Sequence, residues 1–594
     1  MRQVLSKRPA GSGPFVQEKV QMKNVLEWLE RSAQRVPEHV AFEDPDGEIT
    51  FGELAKNAQR IGERLLPYIG WREPVAFYME KSVLAVQGMF GAVYAGGFYS
   101  FLDLRSPKAR TDQILDVLQP KVVLTDEANL DAAREVLQGR CEITLLTVEE
   151  LLRDEGAAGH ESAGLLRTLA AVRARALDTD TLYVNFTSGS TGTPKGVAVA
   201  HRSVIDFISC FTEIFGIDET DILANQAPFD FDVSVKDIYS GLCTGAAVAL
   251  IPRTYFSNPT LLMDYLCDRR VTTLIWAVSA MCFVSIMNGF GYRTPETIRR
   301  VMFSGEVMPV KQLKIWQKAL PDVTYVNLYG PTEITCNCSY YILPKGEALP
   351  DVIPAGRAFP NEHVFLLDED DHEIPMPDVR EAIRTGEGSA RETSDEQKNA
   401  SLTEGGAEPG KEACERIGTD PGKEDPEKGN SGKFEESRVG EICVSGTCVA
   451  LGYYRNPEKT AEAFVQNPLN DVTYERIYRT GDLGKWDANG NLVYVSRKDF
   501  QVKYLGQRIE LGEIENAAMK LDGVTRACVL FDAARKKLVL FYTGEKEKKA
   551  VSEELRALLP QYMIPGKIIP LDTMPMTKNG KIDRSALKQT AGIA

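Results

Sequence analysis

The sequence lacks several features that would each point to a particular class of protein. No uninterrupted apolar run reaches about 18 residues, the length that a membrane span requires, so no membrane insertion is expected. The formal net charge of -15 gives no global attraction for a polyanion, which argues against nucleic acid as the main partner. The first residues lack an apolar core followed by a small-residue cleavage site, so no secretory signal is predicted and a cytoplasmic location is expected.

Metal-ligating residues are also scarce. The chain has 5 histidines, and its 11 cysteines are scattered through a long sequence, whereas disulfide frameworks are typical of small secreted domains. The close pair Cys336 and Cys338 has neither a second cysteine pair nor a nearby histidine to complete a metal site. We therefore expect mostly buried thiols.

The length of 594 residues predicts two or more domains. A helical pattern at 24–35 and short apolar runs at 121–125 and 142–148 predict an α/β fold with helices on both faces of a sheet. We expect a polar tail at 1–19, a large domain at 20–498 and a small α+β domain at 499–594.

Residues 378–437 differ in composition from the rest of the chain. Gly, Glu, Lys, Asp and Ser dominate there, and Phe434 is the only aromatic residue. Such a segment buries too little apolar surface to offset the entropy of ordering it. The composition predicts a disordered insertion, with a docking or regulatory segment as the alternative.

A phosphate-binding loop is predicted at 182–200, which reads LYVNFTSGSTGTPKGVAVA. Two apolar strand-like runs flank a turn in which glycines let backbone amides approach an anion, hydroxyl groups donate hydrogen bonds and Lys195 adds positive charge. A Walker A loop is disfavoured because Pro194 precedes the lysine and no helix follows. The alternative is a flexible hairpin turn without a ligand.

The turn TSGSTGTPKG resembles the phosphate loop of the adenylate-forming superfamily, which includes acyl-CoA synthetases, luciferases and the adenylation domains of nonribosomal peptide synthetases. The resemblance extends from about Val25 to Leu587. It implies a large N-terminal domain of packed β-sheets flanked by helices, a small mobile α+β C-terminal domain, and the use of ATP and Mg²⁺. It also implies an ATP contact for each of these residues of the turn: Thr187, Ser188, Gly189, Ser190, Thr191, Gly192, Thr193 and Lys195.

Two further motifs are similar to nucleotide-binding motifs of this superfamily. NLYGPTE at 327–333 implies that Tyr329 stacks on adenine and that Glu333 holds Mg²⁺, and an aromatic face and a lone carboxylate suit those roles. YRTGDL at 478–483 implies that Asp482 accepts hydrogen bonds from the ribose hydroxyls. The remaining nucleotide contacts that the resemblance implies are Asn327, Leu328, Gly330, Pro331, Thr332, Tyr494 and Arg497.

Motifs near the C-terminus resemble the parts that drive the superfamily's two half-reactions. SRKD at 496–499 implies a hinge at Asp499, and KYLGQRIELGE at 503–513 implies a segment in which Gly506 gives room to a pantetheine arm. PMTKNGKIDR at 575–584 implies that Lys581 is the adenylation lysine, which contacts both ATP and substrate. Without the other motifs, Lys581 would be predicted to be a solvated lysine in a hairpin turn. The implied catalytic residues are Lys581, Lys195, Thr187 and Glu333.

Residues 231–235 resemble a motif of amino-acid-activating members, in which an aspartate pairs with the substrate's α-ammonium. Asp232 fills that position, and a helix-capping role is the alternative. The implied substrate pocket consists of Asp232, Val233, Lys236, Trp276, Met302, Ser304, Leu328, Cys336, Asn337 and Lys581.

The bulk of Trp276 and Met302 suggests a small amino acid, and FSGEVMP at 303–309 is similar to D-alanine:carrier-protein ligases. Lys236 departs from that pattern. It could pair with an acidic substrate side chain or be neutralised by Asp237.

The predicted activity is amino-acid adenylation followed by transfer to the phosphopantetheine thiol of a carrier protein. No carrier module is recognised after Lys581, so a carrier acting in trans is expected. An acyl- or aryl-CoA ligase and a catalytically silent scaffold are the alternatives.

Overall fold

The computed structural model describes residues 22–153, 168–189, 193–350, 352–377, 438–498, 501–504, 506–576 and 582–593. The predicted tail at 1–19 and the predicted insertion at 378–437 lie outside these ranges. Within them, no helix has both the length and the apolar character needed to cross a membrane.

Strands dominate the part of the chain before residue 499. In chain order they are β1 (Val40–Glu43), β2 (Glu48–Thr50), β3 (Pro74–Phe77), β4 (Phe98–Phe101), β5 (Val122–Thr125), β6 (Thr144–Thr147), β7 (Thr181–Thr187), β8 (Lys195–Ala200), β9 (Ile222–Asn225), β10 (Ala247–Leu250), β11 (Thr273–Ala277), β12 (Arg300–Ser304), β13 (Thr324–Tyr329), β14 (Ser339–Ile342), β15 (Arg357–Ala358), β16 (Glu362–Leu367), β17 (Gly440–Gly446), β18 (Gly452–Tyr453), β19 (Phe464–Gln466), β20 (Arg476–Trp486) and β21 (Leu492–Arg497).

Helices connect and cover these strands. They are α1 (Leu26–Arg35), α2 (Phe51–Leu65), α3 (Val83–Tyr94), α4 (Lys108–Leu118), α5 (Leu130–Val136), α6 (Val148–Leu152), α7 (His201–Phe215), α8 (Ser234–Thr244), α9 (Pro259–Asp268), α10 (Val278–Ile286), α11 (Gly289–Tyr292), α12 (Val310–Ala319) and α13 (Pro457–Ala463).

The C-terminal part is smaller and mixes both element types. It contains β22 (Gln501–Tyr504), β23 (Gln507–Glu510), α14 (Leu511–Met519), β24 (Val524–Asp532), β25 (Lys537–Gly544), α15 (Lys548–Leu558), β26 (Lys567–Leu571) and α16 (Arg584–Ala591). β22 pairs with β23, and a separate sheet has the order β24-β25-β26.

Two large sheets organise the N-terminal part. One has the order β15-β14-β13-β12-β11-β9-β10-β1-β2, and the other has the order β18-β8-β7-β4-β3-β5-β6. β9 to β13 and β3 to β7 pair mainly in parallel, which requires crossover connections and explains the alternation of strands with helices. A smaller antiparallel sheet has the order β16-β17-β20-β19, with β21 on β20.

Burial of apolar side chains explains why these segments fold as they do. One core joins the two large sheets through α2, α3, α7 and α8, and a second core covers the other face of the first sheet beneath α9, α10 and α12. β5 is buried at every position. Such continuous buried strands are typical of a sheet that is covered on both faces. The C-terminal part has its own core around α14 and α15. The predicted α/β architecture with a smaller C-terminal domain is confirmed.

Local signals set individual element ends. Thr50 accepts a hydrogen bond from the backbone of Glu53, whose side chain in turn accepts one from the backbone of Thr50. This capping box begins α2, since it satisfies amides that the first helical turn leaves without partners.

Candidate active site

The predicted phosphate loop joins β7 to β8, which form an antiparallel hairpin with Thr187 opposite Lys195. Ser190, Thr191 and Gly192 lie outside the described residues. At Gly189 an added Cβ would lie 2.0 Å from the carbonyl oxygen of Thr193, so the turn closes too tightly for a side chain.

The base of this loop contacts the C-terminal domain. The Ser188 hydroxyl donates to the carbonyl oxygen of Arg508 at 2.8 Å and accepts from the amide of Glu510 at 3.1 Å. The ammonium of Lys195 lies 3.8 Å from Glu510 Oε1 and 4.9 Å from the centroid of the Tyr453 ring. The described part of the loop is thus held on one side by β23.

Glu333 is a fully buried carboxylate at the centre of the site. Its Oε1 accepts from the Tyr453 hydroxyl at 2.8 Å, and its Oε2 accepts from Arg508 Nη1 at 2.8 Å. Burial alone would raise the pKa of Glu333, but the positive charges of Arg508 and Lys195 lower it to about 2. Glu333 is therefore ionised at neutral pH.

Glu333 is also the residue predicted to hold Mg²⁺. A single ionised carboxylate suits this ion when phosphate oxygens and water complete the coordination. Within the described ranges, no cluster of three or more His, Cys, Asp or Glu side chains could hold a metal on its own. The donor fits, and a guanidinium and a divalent cation would compete for this one buried carboxylate because their charges repel each other.

Most predicted nucleotide and substrate residues line one cavity of about 520 Å³. Thr187 and Ser188 line a smaller adjacent cleft that shares Asp232 and Thr332 with it. The predicted residues on the wall of the main cavity are Asp232, Val233, Ser304, Asn327, Leu328, Tyr329, Gly330, Pro331, Thr332, Cys336, Asn337, Asp482, Tyr494 and Arg497.

Asp482, the carboxylate predicted to bind the ribose, accepts hydrogen bonds from two residues. Asp482 on β20 lies opposite Arg497 on β21, and Oδ1 of Asp482 accepts from Arg497 Nη1 at 2.7 Å. Oδ2 accepts from the Tyr329 hydroxyl at 2.6 Å. The rings of Tyr329 and Tyr494 lie 6.4 Å apart between centroids, and Asn327 donates to the carbonyl oxygen of Pro354 at 2.7 Å.

Asp232 is buried at the boundary between the two cavities, and its side chain hydrogen-bonds with Thr332. Burial raises the pKa of Asp232, an effect that the Thr332 bond and the charge of Lys236 oppose. The capping alternative is wrong: α8 begins after Val233 without a side-chain cap. A buried carboxylate on a cavity wall is suited to pairing with a cationic ligand.

The positions of three predicted pocket residues must be corrected. Trp276 and Met302 are fully buried and do not line the cavity among the described residues. Trp276 points to the opposite face of its strand from Ile275, where its indole N–H donates to the carbonyl oxygen of Ala224 at 2.9 Å. Lys236 is also fully buried and lies behind Asn337 rather than on the cavity wall.

The segment from β22 to β23 closes the cavity from the C-terminal side. Lys503 lies 5.5 Å from the centroid of the Tyr329 ring. The amide of Gly506, at φ +77°, donates to Glu306 Oε1 at 2.7 Å, and Lys536 donates to the other oxygen of Glu306 at 3.2 Å. Lys581 and Asp499 lie outside the described residues.

Three residues of this site had no role in the sequence analysis, namely Arg508, Tyr453 and Glu306. Arg508 lies in the motif at 503–513 and Glu306 in the motif at 303–309, so their positions in these motifs could have indicated a place in the site. Tyr453 stands on β18, far from any motif, and only the pairing of β18 with β8 brings it to Glu333.

Comparison with known proteins places the chain among relatives of similar sequence. It is 30% identical over 579 residues to a protein of the mycosubtilin synthase of Bacillus subtilis, covering 95% of this chain and 19% of that protein. It is 28% identical to zwittermicin A synthase ZmaJ of Bacillus cereus, covering 94% and 93% of the two chains. The chain thus spans about a fifth of the length of the first relative and most of the second.

Solved structures show the same fold. The Vibrio cholerae adenylation domain AlmE, solved with glycyl-adenosine-5'-phosphate, superposes with a TM-score of 0.73 at 19% identity, covering 98% of this chain and 100% of that one. Residues 29–387 match the family of AMP-binding enzymes, and residues 513–581 match the AMP-binding enzyme C-terminal domain. The chain therefore belongs to the AMP-binding enzyme family.

Proposed function

We propose that this protein activates an amino acid as an aminoacyl-adenylate, releases pyrophosphate, and passes the aminoacyl group to a carrier thiol. The observation that carries the proposal is the position of Asp232, a buried carboxylate on the same cavity wall as Tyr329 and Asp482. It could pair with a substrate α-ammonium while the substrate carboxylate faces the nucleotide phosphate. Acids without an amine would leave Asp232 buried and unpaired.

The first half-reaction needs orientation and charge neutralisation rather than a base. The substrate carboxylate is already ionised near neutral pH and attacks the α-phosphorus of ATP, with pyrophosphate leaving. Asp482 would orient the ribose, and Thr187, Thr332 and Lys195 would contact phosphate oxygens. Mg²⁺ held by Glu333, together with Lys581, would supply charge neutralisation.

The second half-reaction is a thiol attack on the adenylate, with AMP as the leaving group. We propose that residues 499–594 turn about Asp499 between the two half-reactions, exchanging the Lys581 loop for the segment that carries Gly506. Contacts of Gly506 and Arg508 with the large domain support this. We also propose that the thiol belongs to a phosphopantetheine group on a carrier protein acting in trans. One solved structure with this fold, at a TM-score of 0.72, contains adenylation and PCP domains in the same protein.

D-alanine stays one candidate substrate. The expectation of a small side chain relied partly on Trp276 and Met302, which do not reach the cavity. The proposal therefore specifies an amino acid and not the size of its side chain.

The function is tested by exchange of labelled pyrophosphate into ATP across the twenty amino acids, D-alanine, and a panel of aryl and fatty acids. We expect exchange only with substrates that carry an α-amine. Exchange with acids lacking an amine, and none with amino acids, would identify an acyl- or aryl-CoA ligase. No exchange with any acid would favour a scaffold protein.

Asp232→Ala is expected to raise the amino-acid KM by at least about 30-fold, because removing one partner of a buried charge pair costs about 2–5 kcal/mol. The KM for ATP should stay within about threefold, since the substitution removes an amine contact. Asp232→Asn, which keeps the shape but loses the charge, should behave like Asp232→Ala. Unchanged amino-acid KM values in both variants would exclude the ammonium contact.

Lys581→Ala is expected to slow exchange by about 100-fold or more while leaving ATP affinity largely intact, because the lysine would stabilise charge that develops in the transition state. Exchange kinetics and equilibrium ATP binding measure the two effects separately. Lys578→Ala, in the same motif, is the matched control and should retain exchange. Equal rates in the two variants would refute the role of Lys581.

A further inference from the structure

Asn337 presents a hydrogen-bond donor to the substrate cavity. Its Oδ1 accepts from the ammonium of Lys236 at 2.6 Å, and because an ammonium can only donate, this contact fixes which end of the amide is oxygen. The Nδ2 group has no acceptor among the described residues, and Asn337 lies on the cavity wall. A substrate side chain in this cavity therefore meets an N–H donor that lacks a partner.

Close contacts and unusual backbone angles constrain the segment that carries this donor. Thr335 and Cys336, the two residues before Asn337, have φ values of +56° and +84°, which are unusual for side-chain-bearing residues. Thr335 donates to the carbonyl oxygen of Cys448 at 2.7 Å, and an added Cβ at Gly330 would lie 2.5 Å from Asn337 Cα. Such strained conformations persist where the surroundings impose them, and they are frequent at ligand sites.

Lys236 adds a positive charge that has no direct ion-pair partner among the described residues. Its side chain is fully buried, and within the described part of the chain no carboxylate forms an ion pair with its ammonium. Asp237 is the neighbouring anion, but its Oδ2 accepts from Asn225 at 3.0 Å, its Oδ1 has no partner, and it also faces Lys81. Once Asp232 pairs with a substrate amine, Asp237 stays as the carboxyl group near Lys236. Burial raises the pKa of Asp237 to about 7 and lowers that of Lys81 to about 7, so Asp237 neutralises Lys236 only in part at neutral pH.

We propose that this site selects an amino acid with a side-chain carboxylate, which accepts from Asn337 Nδ2 while Lys236 polarises that amide from behind. This inference depends on the proposed adenylation activity and names its substrate class. An apolar side chain would leave the Nδ2 donor without a partner, and a side-chain carboxamide would leave the excess positive charge unbalanced.

The test compares kcat/KM for pyrophosphate exchange in matched sets, using both enantiomers of aspartate, asparagine, alanine and leucine, and of glutamate and glutamine. The wild-type protein should prefer one acidic member by at least about 10-fold over its amide and over leucine. Asn337→Leu, which nearly preserves shape, should lower that preference by at least about 10-fold, with a smaller loss of exchange for leucine than for the acidic substrate. Lys236→Met should shift the preference in the same direction.

Three results would overturn the inference: a wild-type preference for alanine or leucine, a preference for the amides, or an equal loss for all substrates in Asn337→Leu. Thermal unfolding of each variant identifies misfolding, and if Lys236→Met does not fold, Asn337→Leu alone decides. Absence of exchange with every amino acid would instead refute the adenylation activity, so the two failures are distinguishable.

Discussion

The large and small domains meet at the centre of the site through a buried ion pair between Glu333 and Arg508, beside a second buried pair between Arg110 and Glu513. The Glu333 carboxylate has no solvent exposure, so it needs a cation, and in this structure the small domain supplies it. Tyr453 satisfies the other oxygen, and the hydroxyl of Ser188 fixes the backbone of Arg508 against the phosphate loop. One contact thus connects the loop, the small domain and the proposed metal position.

This pair also explains how one site could serve two reactions. In the proposed adenylation Glu333 would face Mg²⁺ and phosphate, whereas in this structure Glu333 pairs with Arg508, and Gly506 lies on the cavity wall. Arg508 and Mg²⁺ would be alternative partners of Glu333, because both are cations that would compete for one buried carboxylate. Movement of the small domain would then exchange one cation for another without leaving the charge unpaired.

The sequence predicted the α/β architecture, the separate small domain and about half of the residues on the cavity wall, because motifs and apolar periodicity are local signals. It did not reveal that Trp276 faces away from the cavity, since motif position does not show which face of a strand a side chain occupies once the sheet is buried on both sides. Met302 is on the same face of β12 as Ser304 but is buried in the core beneath the cavity. Tyr453 was missed because its role arises from pairing between β18 and β8, which are distant in sequence. The predicted roles of Lys581 and Asp499 remain predictions.

The most direct test of the account is calorimetric binding of a non-hydrolysable aminoacyl-sulfamoyl-adenosine made from the best exchange substrate. If Asp232, Tyr329 and Asp482 surround one ligand, this compound should bind at least about 100-fold more tightly than AMP. Asp232→Ala should lose most of that advantage, since the amine would have no anionic partner. Binding no tighter than AMP, or equal affinity in Asp232→Ala, would contradict the account.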